Sequence, residues 1–472
     1  MTTKFRTQFA KALAQHEVRN NTESVVNKLR KHRLAAFPDQ AEWISMRRHS
    51  TAIRANATSK LPQLLEQLET NLQRNGIQVH WADTTEQANQ TVLNIMRFHD
   101  ARFIIKGKSM VSEEMGLNDF LNTHGIECLE SDLGELIIQL AAEKPSHMIV
   151  PALHKNRKQI ARLFHSQFPS IPYTEDISAL AQAARRFLRH HFATAPVGLT
   201  GVNFMIAETG TLCLVENEGN GRMCSTAPPV HIAVSGIEKV VECLDDVPPL
   251  LGILTRSATG QPITTYVNMI SSPRKPNEKD GPTAVHLILL DNGRSRIYSD
   301  PELRDTLNCI RCGACMNHCP IYKHIGGHAY QTVIPGPIGT ILEPQKNGLD
   351  SYGELTQAST LCGACQEVCP VSIPIPKIIN RLRWEHIRKS SCSTPGAGSG
   401  RRKTEAIIWK IWAWNCIHPG AYNRITSVAT SMRRLADRIL AKISPWTAAR
   451  AVPRLPDTTL HERLKALKID NE

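Results

Sequence analysis

Cys309-Ile310-Arg311-Cys312-Gly313-Ala314-Cys315-Met316-Asn317-His318-Cys319-Pro320 is the stretch that decides how the middle of this chain folds. Its spacing, C-x2-C-x2-C-x3-C-P, is the bacterial ferredoxin run. Three thiolates wrap one iron–sulfur cubane, and the cysteine before proline leaves that loop to ligate another. Gly313 lets the backbone pass close to inorganic sulfide, where amide N–H groups stabilise negative charge. Further on, Cys362-Gly363-Ala364-Cys365-Gln366-Glu367-Val368-Cys369-Pro370 repeats the second half of the run. A complete copy would carry a cysteine three residues before Cys362, and Ser359 stands there. Crossing the ligands assigns Cys309, Cys312, Cys315 and Cys369 to a first cluster, and Cys319, Cys362 and Cys365 to a second. The expectation is two [4Fe-4S] clusters, the second either three-cysteine-ligated or reduced to [3Fe-4S]. Its open iron could take Ser359, a water, a partner residue or a substrate. Structural zinc sites would show paired C-x2-C units separated by a longer gap, which is a poorer match.

Working outward, the chain has 472 residues, enough for two or three domains. Seven of its 13 cysteines lie between 309 and 369, whereas the first 300 residues hold only Cys128, Cys213, Cys224 and Cys243. That clustering reads as metal binding in a reducing compartment, not as a disulfide framework. Cys224, Cys392 and Cys416 are spare thiols, more naturally inert than ligating. No run approaches the roughly 20 apolar residues of a membrane span; the best, Ile407 to Trp412, is interrupted by Lys410. The N-terminus lacks an apolar signal core, and Phe5, Phe9 and Leu13 fit one face of an ordinary helix better than a transit peptide. The expected location is the cytoplasm, with a peripheral position at the inner membrane face as the variant. Net charge is +13, but much of the excess sits late, in Arg401-Arg402-Lys403, Arg433-Arg434 and Arg438. No nucleic acid is expected, because no zinc-finger, RNP or basic-zipper motif accompanies the charge. Trp409, Trp412 and Trp414 with those arginines suit either packing of a helical tail or peripheral contact with membrane or partner.

Upstream of the cysteines, helical and strand patterns alternate. Leu61, Leu64, Leu65, Leu68 and Leu72 recur at helical spacing, and Ile77, Val79 and Trp81 alternate like a strand. A helix around Val92 to Met96 leads to strand-like Phe103–Ile105. Short apolar runs follow at His147–Val150, Leu212–Val215, His231–Val234, Ile263–Val267 and His286–Leu290. This alternation predicts an α/β domain with a mostly parallel sheet. The expected organisation is an N-terminal helical segment (1–55), the α/β domain (56–298), a ferredoxin-like, α-helical iron–sulfur domain (299–388), a Ser/Gly/Pro-rich linker (389–404) and a basic helical C-terminal region (405–472). Short helices are expected over Asp300–Leu307 and Pro376–Arg388.

These cysteines, together with Lys106-Gly107-Lys108-Ser109-Met110-Val111-Ser112-Glu113-Glu114, Glu130-Ser131-Asp132-Leu133-Gly134-Glu135, Ala207-Glu208-Thr209-Gly210-Thr211 and Glu216 to Arg222, resemble the lactate-utilisation protein B family. The resemblance covers nearly the whole chain, including the missing eighth cysteine. It implies an iron–sulfur electron-transfer subunit working with other subunits of a complex that oxidises L-lactate to pyruvate. No flavin or nicotinamide fingerprint is present, so any catalytic share is open. The alternatives are a stand-alone iron–sulfur dehydrogenase acting on another small acid, and a non-enzymatic redox sensor or scaffold.

Lys106, Lys108, Ser109, Glu113 and Glu114 follow the Phe103–Ile105 strand, where α/β folds often bind ligands. With Asn217 and Arg222 of the glycine-rich loop they form a candidate anion or substrate pocket; a solvated turn is the plain alternative. Gly107-Lys108-Ser109 is not a phosphate-binding P-loop, since Arg102 stands where that motif needs glycine. Asp132 and Glu135 suit helix capping better than substrate positioning. His231 suits a core histidine.

Overall fold

The computed structural model describes residues 2–168, 171–392, 399–432 and 456–467. They fall into two units, 1–389 and 390–472. Ten strands organise the first: β1 (Gln78–Ala82), β2 (Phe103–Gly107), β3 (Glu127–Glu130), β4 (Val197–Gly201), β5 (Phe204–Ile206), β6 (Thr211–Glu216), β7 (Val230–Gly236), β8 (Val240–Val241), β9 (Tyr266–Ile270) and β10 (Ala284–Leu290). Six of them form one sheet in the order β1-β10-β7-β4-β2-β3, parallel throughout. A second sheet, β8-β5-β6-β9, is mixed.

Both faces of the parallel sheet are covered, as its chemistry requires. Every residue of β7 and β4 is buried. The period-2 alternation of β10 splits its side chains cleanly. Val285, Leu287 and Leu289 meet the leucines of helix Leu61–Arg74, while Ile288 and Leu290 meet Val92, Met96, Leu117 and Leu121. Leu61, Leu64, Leu65, Leu68 and Leu72, the helical stripe visible in the sequence, are all buried.

The largest core joins the cysteine segment to the N-terminal helices. Val26, Trp43 and Ile53, from helices His16–Ala36 and Gln40–Ser59, share one cluster with Ile338, Ile341, Val371, Ile373 and Ile379. The N-terminal segment is thus part of the wall around the cysteines.

Several expectations are corrected. His147–Val150 is a bend, not a strand, because the His147 ring accepts the Ile149 and Val150 amides and curls the backbone. The Ile263–Val267 run begins its strand three residues late, at Tyr266. In place of one helix over Asp300–Leu307, Arg294–Ser299 is helical and a 3-10 turn spans Arg304–Asn308. The 389–404 stretch is helical at both ends, in Ile375–Cys392 and Ser399–Ile417, while 393–398 lie outside the described residues.

The second unit contains helices Ser399–Ile417, Pro419–Ser431 and Leu460–Ala466. Trp409, Trp412 and Trp414 are exposed there, with Trp414 stacked on the His418 ring. Arg433, Arg434 and Arg438 lie outside the described residues, as do the side chains of Arg401, Arg402, Lys403 and Cys392.

Candidate metal centre

The two cysteine loops are built alike. Cys312 is followed by Gly313 at φ 72°, and Cys362 by Gly363 at φ 84°. Each glycine turns the chain into a four-residue helix, Ala314–Asn317 or Ala364–Glu367, carrying the next cysteine. A side chain at Gly313 would be strained by that φ and would crowd His147 and Ile149 at 3.3 Å. The residues before Cys312 and Cys362, Arg311 and Leu361, are also left-handed, at φ 60° and 56°. Pro320 opens helix Pro320–Ile325 behind Cys319, whose Sγ accepts the Tyr322 amide at 3.5 Å.

Cys309, Cys312, Cys315 and Cys369 line one pocket. The rest of its lining is mostly apolar, with Met148, Ile310, Ile338, Val371, Ile373 and Ile375. Cys319 and Cys365 are buried close by, and Cys362 is exposed. Burial pushes the thiols of Cys312 and Cys365 up to about 12. Such thiols ionise when a metal replaces the proton. Among the described residues no three His, Cys, Asp or Glu side chains converge tightly enough to hold a single ion. The four thiols surround a space, an arrangement suited to a cluster that binds one cysteine per iron.

Arginines from the N-terminal helices brace these loops. Arg47 donates to the Cys369 and Gln366 carbonyls, both at 2.8 Å, and Arg33 to the Val368 carbonyl at 3.5 Å. Arg54, 2% exposed, donates to the carbonyls of Val240 and Glu238 and to those of Leu307 and Asn308 just before Cys309. Sequence reasoning missed all three, since each reaches more than 180 residues along the chain. His147 sits under Gly313. Its Nδ1 accepts two amides, so Nε2–H donates to Asn317 Oδ1 at 3.1 Å; burial lowers the ring to about 4.

Arg311 ties the first loop to the α/β sheet. It pairs with Glu238 at 3.1 Å, and Glu238 also accepts from Arg294 Nε at 2.6 Å. Arg294 pairs with Glu114, which Lys346 meets at 2.8 Å. Burial would raise Glu238, but Arg294 and Arg311 outweigh it and hold the carboxyl at about 2. Lys239, buried beside Arg311, falls to about 7, chiefly from desolvation.

A second charged group lies at the C-terminal ends of β2 and β3. Lys106 is fully buried, 2.6 Å from Glu130, 2.7 Å from Glu113 and 3.0 Å from Ser112 Oγ. Lys108 pairs with Asp132, which caps helix Leu133–Leu140 through the Gly134 and Glu135 amides. Ser109 caps the next helix, Met110–Met115. Burial raises the carboxyls of Glu130 and Glu135, and neighbouring acids raise Glu135 further. Lys108 holds a left-handed φ of 49°. The sequence-nominated set is therefore divided. Lys106, Lys108, Ser109 and Glu113 gather here, whereas Glu114 belongs to the Arg294 network. Asn217 is exposed and pinned to Gln261, Thr264 and Thr265. Arg222 is exposed over the Tyr266 ring, with its backbone N–H on Glu216. Asn220 is the member missed from that loop, reaching Asp132 at 3.4 Å.

Of the spare thiols, Cys224 is buried against Ser131 and Cys416 is exposed. His231 is a core residue bonded to Thr200 at 2.9 Å, and burial lowers it to about 3.

Compared with known proteins, residues 65–290 match the LUD domain, 305–373 a 4Fe-4S dicluster domain and 381–469 the C-terminal model of lactate utilisation protein B. A lactate utilization protein B of Oceanobacillus iheyensis is 39% identical over 443 residues, 94% of this chain and 88% of the relative. That of Bacillus subtilis is 40% identical, covering 82% and 80%. An uncharacterized electron transport protein of Escherichia coli, YkgF, is 39% identical, covering 89% and 86%.

Proposed function

The chain belongs to the lactate utilisation protein B family, with a 4Fe-4S dicluster domain, and from that premise we propose that it is the electron-transfer subunit of a complex oxidising L-lactate to pyruvate. One observation carries the redox reading: four cysteines from two segments far apart in sequence line a single cavity. The proposed ligands are Cys309, Cys312, Cys315 and Cys369 for one [4Fe-4S] cluster, and Cys319, Cys362 and Cys365 for a second. Bound there, such clusters accept and release single electrons.

The chain's own residues do the rest. Met148, Ile338, Val371 and Ile373 keep water from the first site. Arg54 and Arg311 supply positive charge near Cys309, which favours the more reduced state of an anionic group. Arg33 and Arg47 hold the loop carbonyls, so little reorganises as charge changes. The exposure of Cys362 makes the second site the side from which a partner subunit receives or delivers electrons. The purified chain should not oxidise L-lactate alone, and should restore activity to a preparation lacking it. Normal growth on lactate by a clean deletion strain sinks the reading.

A second reading places a small-acid pocket at Lys106, Lys108, Ser109 and Glu113. It is favoured by the strained φ of Lys108 and by carboxyls that outnumber the lysines, an arrangement able to hold and pass a proton. Turnover of a small acid by the isolated chain with an artificial acceptor, lost in Lys106→Met, would favour it. Among the described residues no helix is long and apolar enough to cross a membrane. The exposed Trp409, Trp412 and Trp414 support peripheral contact with a membrane or a partner. Unaltered sedimentation with anionic vesicles in a triple Trp→Ser variant would count against the membrane.

A further inference from the structure

We propose that Ser359 Oγ is the fourth protein ligand of the second cluster, an oxygen donor in the place that Cys309 holds at the first. The inference rests on the two-cluster reading and completes its ligand set.

The register comes first. Ser359-Thr360-Leu361-Cys362-Gly363-Ala364-Cys365 aligns without a gap on Cys309-Ile310-Arg311-Cys312-Gly313-Ala314-Cys315. The backbones agree at the two left-handed positions. Leu361 and Arg311 are left-handed at φ 56° and 60°, and Gly363 and Gly313 follow at 84° and 72°. A branched Leu in that region is costly, on the order of 1–3 kcal/mol, and the second loop keeps it although its first cysteine is gone. Side-chain acceptors match as well. Cys309 Sγ accepts the Arg311 amide at 3.4 Å, and Ser359 Oγ accepts the Leu361 amide at 3.1 Å. In an iron–sulfur loop, an amide directed at the ligand atom stabilises its charge. The Ser359 hydroxyl oxygen is thus held where the first loop holds a ligating sulfur.

The loop is also fixed from behind. Arg383, on helix Ile375–Cys392, donates to the Ser359 carbonyl and the Thr356 carbonyl, each at 2.8 Å. Those bonds hold the backbone from which the Ser359 side chain projects. Ser359 is half-buried and Cys362 exposed, so this edge of the site lies nearest solvent. Binding forms an Fe–Oγ bond as the hydroxyl proton passes to water; no electron moves in the step. An alkoxide is a harder donor than a thiolate and favours the ferric state, so the second cluster would be the harder of the two to reduce by ligand type alone. Its unique iron would be the labile one.

The test uses the full chain, reconstituted anaerobically, as wild type, Ser359→Ala, Ser359→Thr and Ser359→Cys. Iron and acid-labile sulfide are counted, and EPR is recorded on oxidised and reduced samples during a potential titration. Wild type should hold about eight irons per chain. Ser359→Ala should lose about one iron on mild oxidation and show a three-iron signal that wild type under the same oxidation lacks. Ser359→Thr should behave as wild type, and Ser359→Cys should keep all its iron with a raised second potential. The first cluster's unchanged signal reports correct folding in each variant. Equal iron content, signals and potentials in Ser359→Ala and wild type would overturn the proposal and leave the two clusters standing. Absence of sulfide from wild type itself would overturn the two-cluster reading.

Discussion

Replacing Glu238 by Gln should destabilise the first unit by about 3–5 kcal/mol. The carboxylate is buried and has two cations on it, Arg294 at 2.6 Å and Arg311 at 3.1 Å. Removing one member of a buried ion pair leaves the others uncompensated, at about 3–5 kcal/mol. Linkage gives a similar figure. A carboxyl held at about 2 against an ordinary 4.5 contributes about 3 kcal/mol. Because the folded value is depressed, the contribution is complete above pH 4.5 and fades as the pH falls toward 2. Between pH 8 and pH 5 the gap carries instead the response of Lys239, which Glu238 helps keep charged against its burial. Arg294 keeps Glu114, but Arg311 loses its carboxylate, so the loop between Cys309 and Cys312 should loosen too. Anaerobic urea unfolding, followed by the fluorescence of the buried Trp43, measures the stability change. Iron release to a chelator measures the loop. A loss below about 1 kcal/mol with unchanged iron release would refute the argument that this ion cluster joins sheet to metal site.

Cys369→Ala, though it lies in the second motif, should abolish the first cluster's EPR signal and spare the second; the opposite pattern would break the crossed assignment. Leu68→Ala, at a fully buried position against β10, should cost about 2–5 kcal/mol in denaturant unfolding without changing iron content. Asp132→Ala should remove a helix cap worth about 1 kcal/mol and unpair Lys108, for a total near 2 kcal/mol by thermal unfolding of the anaerobic protein. Arg47→Met should accelerate iron loss to a chelator several-fold while leaving the sheet's stability nearly unchanged, since its bonds go to the Cys369 and Gln366 carbonyls.

The sequence by itself determined whatever depends on short-range spacing. The thiol positions, the turning glycines and the proline behind Cys319 sit within a few residues of one another, so the two cysteine loops were legible. The leucine stripe from Leu61 to Leu72 and the apolar run at His286–Leu290 were legible for the same reason, because helix and strand periods repeat locally. The charged group at the ends of β2 and β3 was only half legible. Lys106, Lys108, Ser109 and Glu113 come from one short stretch of chain, but Glu114 points away from Glu113 on the same short helix and joins Arg294. Adjacent residues on a helix are about 100° apart, so nearness in sequence did not imply a shared site. Tertiary structure alone decided that Arg33, Arg47 and Arg54 brace the cysteine loops, that Glu238 ties Arg311 to the sheet, and that His147 curls beneath Gly313. Buried polar groups must find partners wherever the fold brings one, and no local pattern records a bond between residues 47 and 369.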